Sequence, residues 1–236
     1  MRRSKWRLAA VIWLCLLCPA LLCGCKSRPT AFTVNGLGVE KEELIQYMRD
    51  NMAAVAAELE ETQGLDSTRE DFWTAPQNGI EPFAALKEEA MRQIVRIKVE
   101  QLCAREQGIE TPLYYSGQLR QLEEQNRQRA EAEANGEILY GPVERNYTAY
   151  FREWYLEMQQ KLREKWREAG VLTVSLDEME AFYEENAGAL TGSKEENMSW
   201  IGAHLLEEAY TRHIDTLVEQ AEIGEGTAQV LPEEVI

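Results

Sequence analysis

The sequence predicts a mainly α-helical protein with short β segments near both chain ends. Apolar residues recur at three- and four-residue steps through most of the chain, which is the spacing of one helix face. Asn35-Gly36 lies between two short apolar runs, a pattern typical of a tight β-hairpin. Hydrophobic residues make up 44% of the 236 positions, so the chain can bury a core and is not a disordered acidic tail.

The amino-terminal segment has the organisation of a secretory signal peptide. Residues 1–7 are basic and residues 8–22 are apolar, a run shorter than the ~20 residues that span a bilayer. Residues 22–25 (LCGC) resemble a bacterial lipobox, in which the last cysteine is acylated. The resemblance implies a lipoprotein signal peptide over residues 1–24, fatty acyl chains such as palmitate on Cys25, and a lipidated tether over residues 25–30. The alternatives are a retained signal anchor and an unmodified Cys25 beside a signal-peptidase cut.

A hairpin and an amphipathic helix open the mature chain. Phe32–Val34 and Leu37–Val39 flank the Asn-Gly turn, where both turn residues must tolerate a positive φ. From about Lys41 to Thr62 the apolar residues share one face and the acidic residues lie opposite, so we predict a helix that ends at Gly64.

Two further helices are predicted after a loop over residues 64–80, from about Glu81 to Gln107 and from Leu113 to Ala134. Gly108 is placed to cap the first of them. The second half of the other has almost no apolar face, which is typical of a solvated arm or of a bridge between lobes.

The most aromatic segment forms the next predicted helix, residues 147–166. Ser175 and Glu178 fit the S-x-x-E capping box, so a short helix is expected to begin there. Residues 186–193 form a linker of small residues. A last helix is predicted from about Lys194 to Ala221, followed by an extended tail.

Charge and motif content exclude several classes of function. The chain carries 41 acidic against 25 basic residues, a net charge of −16, which argues against nucleic-acid binding. Neither phosphate-binding glycine motif occurs, and two histidines leave little room for a metal site or a Ser-His-Asp triad, so no metal or cofactor is expected. Paired carboxylates carry no information in so acidic a chain. Cys103 is expected to be a buried, unreactive thiol.

Several segments together resemble one known family. They are residues 32–36 (FTVNG) before an amphipathic helix, residues 103–109 (CAREQGI), residues 139–142 (LYGP), and residues 174–186, which begin VSLDE and end FYEEN. This set resembles the SurA N-terminal domain, the chaperone part of the SurA/PrsA-type extracytoplasmic foldases.

The resemblance implies a helical chaperone-like domain over residues 31–236, with lobes of residues 31–110 plus 194–236 and of residues 111–193. It implies that the last helix returns to the first ones and that residues 222–230 pair with Phe32–Val34. In that family a parvulin-type isomerase domain usually follows the segment that matches Tyr183–Asn186. Here only 50 residues follow Asn186 and no parvulin signature is recognisable, so the resemblance implies the chaperone module without isomerase activity.

We therefore predict a lipid-anchored extracytoplasmic chaperone, not an enzyme, that binds apolar segments of unfolded exported proteins. Its candidate client contacts are seven large or adaptable side chains: Phe72, Trp73, Tyr147, Tyr150, Trp154, Tyr155 and Met158. The alternative interpretation of each residue is that it packs in the hydrophobic core. The rival functions are a peptidyl-prolyl cis–trans isomerase and a structural or adaptor lipoprotein that docks one folded partner.

Overall fold

The computed structural model of the chain describes residues 28–236, so the predicted signal peptide and the predicted acylation site Cys25 lie outside the described residues. Strands β1 (Thr30–Val34) and β2 (Leu37–Glu40) precede six helices: α1 (Lys41–Gln63), α2 (Pro82–Glu106), α3 (Tyr115–Ala134), α4 (Tyr147–Glu168), α5 (Leu176–Asn186) and α6 (Lys194–Glu219). Strand β3 (Ile223–Glu225) and the short helix α7 (Pro232–Val235) follow. The prediction of a mainly helical fold with a small β element is confirmed.

The two ends of the described chain meet in one antiparallel sheet of order β2-β1-β3. Asn35 and Gly36 take positive φ values of 49° and 77°, as the predicted hairpin turn requires. On the other side of β1, Val34 pairs with Ile223 and Phe32 pairs with Glu225. The predicted pairing of the carboxy-terminal tail with Phe32–Val34 is therefore confirmed.

A first core cluster fills the space between this sheet and the pair α1–α2. Its fully buried side chains include Val34, Val39, Leu44, Leu86 and Ile94. The tail also contributes, because Val230 and Val235 are buried in the same cluster. Helix α7 is held on α1 by Arg49, whose guanidinium donates to the Glu234 and Val235 carbonyls at 2.6 and 3.2 Å.

A second core cluster joins the carboxy-terminal half of α4 to α6. It consists of Leu162, Trp166, Leu172, Tyr210 and Ile214. Helix α4 also packs against α2 of the first cluster. The segment assigned to the second predicted lobe therefore contacts the first along much of α4.

Local signals place most helix ends where the sequence predicts them. Ser175 and Ser193 each form a complete capping box, with Glu178 and Glu196 respectively. Helix α3 begins two residues after the predicted Leu113, because side chains of Lys98 and Gln101 on α2 bind the carbonyls of residues 112–113 in place of a helical turn. None of the helices within residues 28–236 combines the length and apolar character that crossing a bilayer requires.

Candidate functional site

Most aromatic rings of helix α4 pack against other residues of the protein. Tyr115, Tyr147, Phe151 and Tyr155 form an aromatic ladder with ring centroids 4.9, 5.7 and 5.2 Å apart in that order. Tyr47 of α1 meets Phe151 edge-on at 6.2 Å. The ladder therefore fixes α4 against α1 and α3, and its rings contribute to packing more than to free surface.

Hydrogen bonds hold the tyrosines of α4 in place. The Tyr147 hydroxyl donates to the Gln118 side chain at 2.6 Å, and the Tyr150 hydroxyl donates to Gln121 at 2.9 Å. The Tyr155 hydroxyl donates to the carboxylate of Glu100. Each hydroxyl is thus satisfied within the chain, as expected for buried polar groups.

Three of the seven predicted client contacts are buried in this conformation. Phe72, Tyr150 and Met158 each expose only 2% of their surface. Phe72 is inserted into the first core cluster, with Trp73 packed on it edge-on at 4.7 Å. The expectation that Phe72, Tyr150 and Met158 contact a client does not fit this conformation, because their surface is already covered by other residues of the chain. Trp73, Tyr147 and Tyr155 are half-buried.

Trp154 is the predicted contact that faces an open groove. The groove has a volume of about 800 Å³ and lies between α3, the middle of α4 and the segment that precedes α3; we call it the α3–α4 groove. Its apolar wall comes from Pro112, Leu113, Tyr114 and Trp154, with the Tyr114 side chain 49% exposed. Its polar wall comes from α3 and α4: Arg120, Gln121, Glu124, Gln125, Gln128 and Lys161.

Buried polar side chains of α2 and β2 hold the segment that carries Tyr114 in place. Lys98 of α2 is fully buried, and its ammonium donates to the Leu113 carbonyl at 2.7 Å while pairing with Glu43 at 2.8 Å. Glu40 accepts two hydrogen bonds from Ser116, one from its backbone N–H at 2.6 Å and one from its hydroxyl at 2.7 Å. This network holds the Tyr114 wall rigidly against α2.

Gln101 and Gln118 add to the same anchorage. Their side-chain amides donate to the Pro112 carbonyl at 3.3 and 3.4 Å respectively. Gln118 at the same time accepts from Tyr147, so one side chain connects the Tyr114 segment to the aromatic ladder. The buried Gln118 side chain therefore couples the Tyr114 segment and α3 to the start of α4.

A buried carboxyl group lies where α2, α4 and α6 meet. Glu100 has no exposed surface, and its carboxylate accepts from Tyr155 and from the Gln159 amide at 3.0 Å. Burial raises the pKa of Glu100 above its ordinary value, more than the hydrogen bonds from Tyr155 and Gln159 and the Arg96 guanidinium 3.9 Å away lower it. Burial likewise raises the pKa of Tyr155.

The groove can bind by contact and not by covalent chemistry. Tyr114 and Trp154 offer flat apolar surface, and the glutamines opposite them can donate to and accept from a peptide backbone. The thiol of Cys103 is half-buried between the two core clusters, and burial raises its pKa to about 11, so it stays protonated at neutral pH. Residues 28–236 contain no group of three or more side chains placed to ligate a metal ion.

Sequence reasoning missed two parts of the groove. Tyr114 follows a Thr-Pro break and directly precedes another tyrosine, so the sequence does not show which of the two rings enters the core. The polar half of α3, predicted as a solvated arm or a bridge between lobes, is mostly exposed, but the sequence does not show that it borders a groove. In the structure, Asn126 and Arg129 tie it to residues 140–145, and its glutamines line the groove.

No protein-family model, curated protein or solved structure matches this chain significantly.

Proposed function

We propose that the protein is a lipid-anchored extracytoplasmic chaperone that binds short apolar segments of unfolded exported proteins in the α3–α4 groove. Binding takes place without isomerase chemistry and without a cofactor. Acylated Cys25 holds the domain at the outer surface of the cytoplasmic membrane, where exported chains emerge.

The observation that carries this proposal is the apolar wall of the groove, formed by Tyr114 and Trp154. An unfolded chain presents varied apolar segments joined by free backbone amides and carbonyls. The exposed Tyr114 ring and the half-buried Trp154 ring, opposite a row of glutamines, suit such a ligand, because the rings bind apolar side chains of different shapes and the amides bind the backbone. Both histidines of the described chain lie on α6, outside the groove.

The test follows the aggregation of a reduced, unfolded protein by light scattering in the presence of the purified full chain. We expect the wild-type chain to suppress aggregation. The double variant Tyr114→Ala/Trp154→Ala should need about tenfold more chain for the same suppression, which corresponds to about 1.4 kcal/mol of lost binding free energy. The single variant Tyr114→Ala changes an exposed side chain and should show part of this loss with unchanged circular dichroism.

Leu156→Ala is the matched control, because Leu156 lies on the same helix, is 56% exposed and does not line the groove. Equal activity of the groove variants and this control would refute the groove as the binding site. An accelerated cis–trans exchange of an X-Pro peptide by the wild-type chain would instead favour the isomerase. Capture of one stoichiometric folded partner, without any suppression of aggregation, would favour the adaptor.

A further inference from the structure

Helices α5 and α6 form a hairpin whose aromatic side chains remain partly exposed. We call residues 175–208 the α5–α6 hairpin. Helix α5 packs on the amino-terminal half of α6, yet it contains no buried residue along its whole length. Gly202 allows this close approach, since a Cβ there would lie 3.1 Å from the Met179 methyl group. The hairpin is thus well packed between its own helices and open on its outer side.

Three rings form one continuous outer surface of the hairpin. Trp200 stacks on the His204 ring with centroids 5.1 Å apart and planes 6° from parallel. Phe182 of α5 contacts both, at 6.1 and 5.3 Å. We call these three residues the Trp200 face. The Trp200 side chain is 52% exposed, and the Phe182 and His204 rings beside it are half-buried.

The surroundings of the Trp200 face are strongly acidic. The hairpin contains nine carboxylates and one lysine, a formal charge of −8 over 34 residues. Glu178 and Glu185 lie one helical turn on either side of Phe182, and Glu208 lies 3.3 Å from His204. Arg212 pairs with Glu208 at 3.4 Å and so offsets part of this charge, while the hairpin as a whole stays strongly negative. A ligand that covers the rings therefore enters a field that attracts positive charge and repels anionic lipid or an acidic protein.

The hairpin already contains one cation bound by an aromatic ring and a carboxylate. The Lys194 ammonium lies 5.9 Å from the centroid of the Tyr183 ring and 3.3 Å from Glu180. An aromatic face with a carboxylate beside it binds an ammonium or guanidinium by cation–π attraction together with ion pairing. The Trp200 face offers the same two components on a larger and more exposed surface.

We propose that the Trp200 face is a docking site for a cationic amphipathic polypeptide segment. Leucine-like side chains of the segment cover Phe182 and Trp200, and its lysines and arginines pair with the surrounding carboxylates. This inference is independent of the α3–α4 groove, because no residue of the hairpin lines that groove. It adds a second binding surface with its own selectivity.

The test measures the fluorescence anisotropy of a labelled Lys/Leu amphipathic peptide of about five helical turns, titrated with the full chain. We expect saturable binding that weakens with added salt, and no binding of a Glu/Leu peptide of the same pattern or of a scrambled Lys/Leu peptide. Trp200→Ala should weaken binding about tenfold or more, because it removes the central ring. Tyr140→Ala, at an 88% exposed ring outside the hairpin, should leave binding unchanged.

The charge contribution is tested separately with Glu185→Lys, which should weaken binding and flatten its salt dependence. Glu133→Lys is its control, an equally large charge change at an exposed position of α3. The groove variant Tyr114→Ala/Trp154→Ala should bind the peptide like the wild type, so failure of the two proposals can be told apart. Wild-type affinity of Trp200→Ala would overturn the inference. So would Trp200-dependent binding to zwitterionic vesicles without peptide binding, or a self-association that Trp200→Ala abolishes.

Discussion

The charges of Lys98 and Glu43 are buried in the core, unlike most charges of this acidic chain. Lys98 and Glu43 form an ion pair in which both side chains are almost fully buried, while the second carboxylate oxygen of Glu43 has no hydrogen-bond partner. Neighbouring acids such as Glu42 are exposed. The helical period places Glu43 on the buried face, four residues before Tyr47, but the sequence does not show that Lys98 of another helix is its partner.

We expect Lys98→Met to lower the free energy of unfolding by about 3–5 kcal/mol, because it leaves a buried carboxylate without its partner. Replacing both members, as Lys98→Met/Glu43→Leu, should recover most of that loss, since an apolar pair has no charge to desolvate. Urea unfolding measures both effects. Lys165→Met, at a 54% exposed side chain, is the control and should change the stability by less than about 0.5 kcal/mol.

A loss for Lys98→Met as small as that of the control would contradict the assigned role of the pair. The same variant also removes the hydrogen bond to the Leu113 carbonyl. Its effect on the Tyr114 wall can be followed as a weaker suppression of aggregation under conditions where the variant is fully folded.

At the level of helices, the sequence predicts correctly those turns and helix ends that depend on neighbouring residues. Hairpin turn, capping boxes and capping glycines each lie within a few residues of the element that they define, as with Ser175 and Glu178. The burial of single side chains on α4 does not follow from the sequence. Tyr150 and Trp154 lie one turn apart, yet Tyr150 is buried and Trp154 is only half-buried, because their neighbours on other helices differ. Tyr150 meets Gln121 of α3, whereas Trp154 borders the groove. Such partners are fixed by packing between helices that the periodicity of one helix does not show.

The contact of α2 with α4 and α6 should make the stability depend on pH through Glu100. Its pKa is raised in the folded protein above the ordinary 4.5, so between these two values the folded state binds more protons than the unfolded state. The stabilising contribution of the neutral carboxyl is complete below pH 4.5 and is lost as the pH rises through the raised value. Glu100→Gln keeps a neutral amide at all pH values.

We therefore expect the stability of the wild type to fall relative to Glu100→Gln as the pH rises from 4.5 upward. Urea unfolding at a series of pH values gives the difference between the two curves, which cancels the titration of all other groups to a first approximation. Glu88→Gln, at an exposed position of the same helix, serves as the control and should run parallel to the wild type. Parallel curves for Glu100→Gln as well would exclude a raised pKa at Glu100.

For the whole molecule, the closure of the sheet by both ends connects segments almost 200 positions apart. Thr30 contacts Thr227 across a separation of 197 residues, and its carbonyl accepts from the backbone N–H groups of Thr227 and Ala228 at 2.8 and 2.9 Å. Gly226 makes this approach feasible, because a Cβ at that position would overlap the backbone of Thr30 and Ala31. Gly226 should therefore accept no side chain without separation of β3 from β1.

We expect Gly226→Ala to lower the free energy of unfolding by about 1–3 kcal/mol, the usual cost of an overpacked site, and to expose residues 222–236 to early proteolysis. Gly188→Ala is its matched control, since a Cβ there meets no atom within 4 Å and its φ is not positive. Because Val230 and Val235 belong to the first core cluster, loosening the tail also uncovers the core beneath α1. Equal stability and equal protease resistance of the two glycine variants would show that the tail does not stabilise the fold. The pairing of β3 with β1 would then contribute nothing to the stability of the helical core.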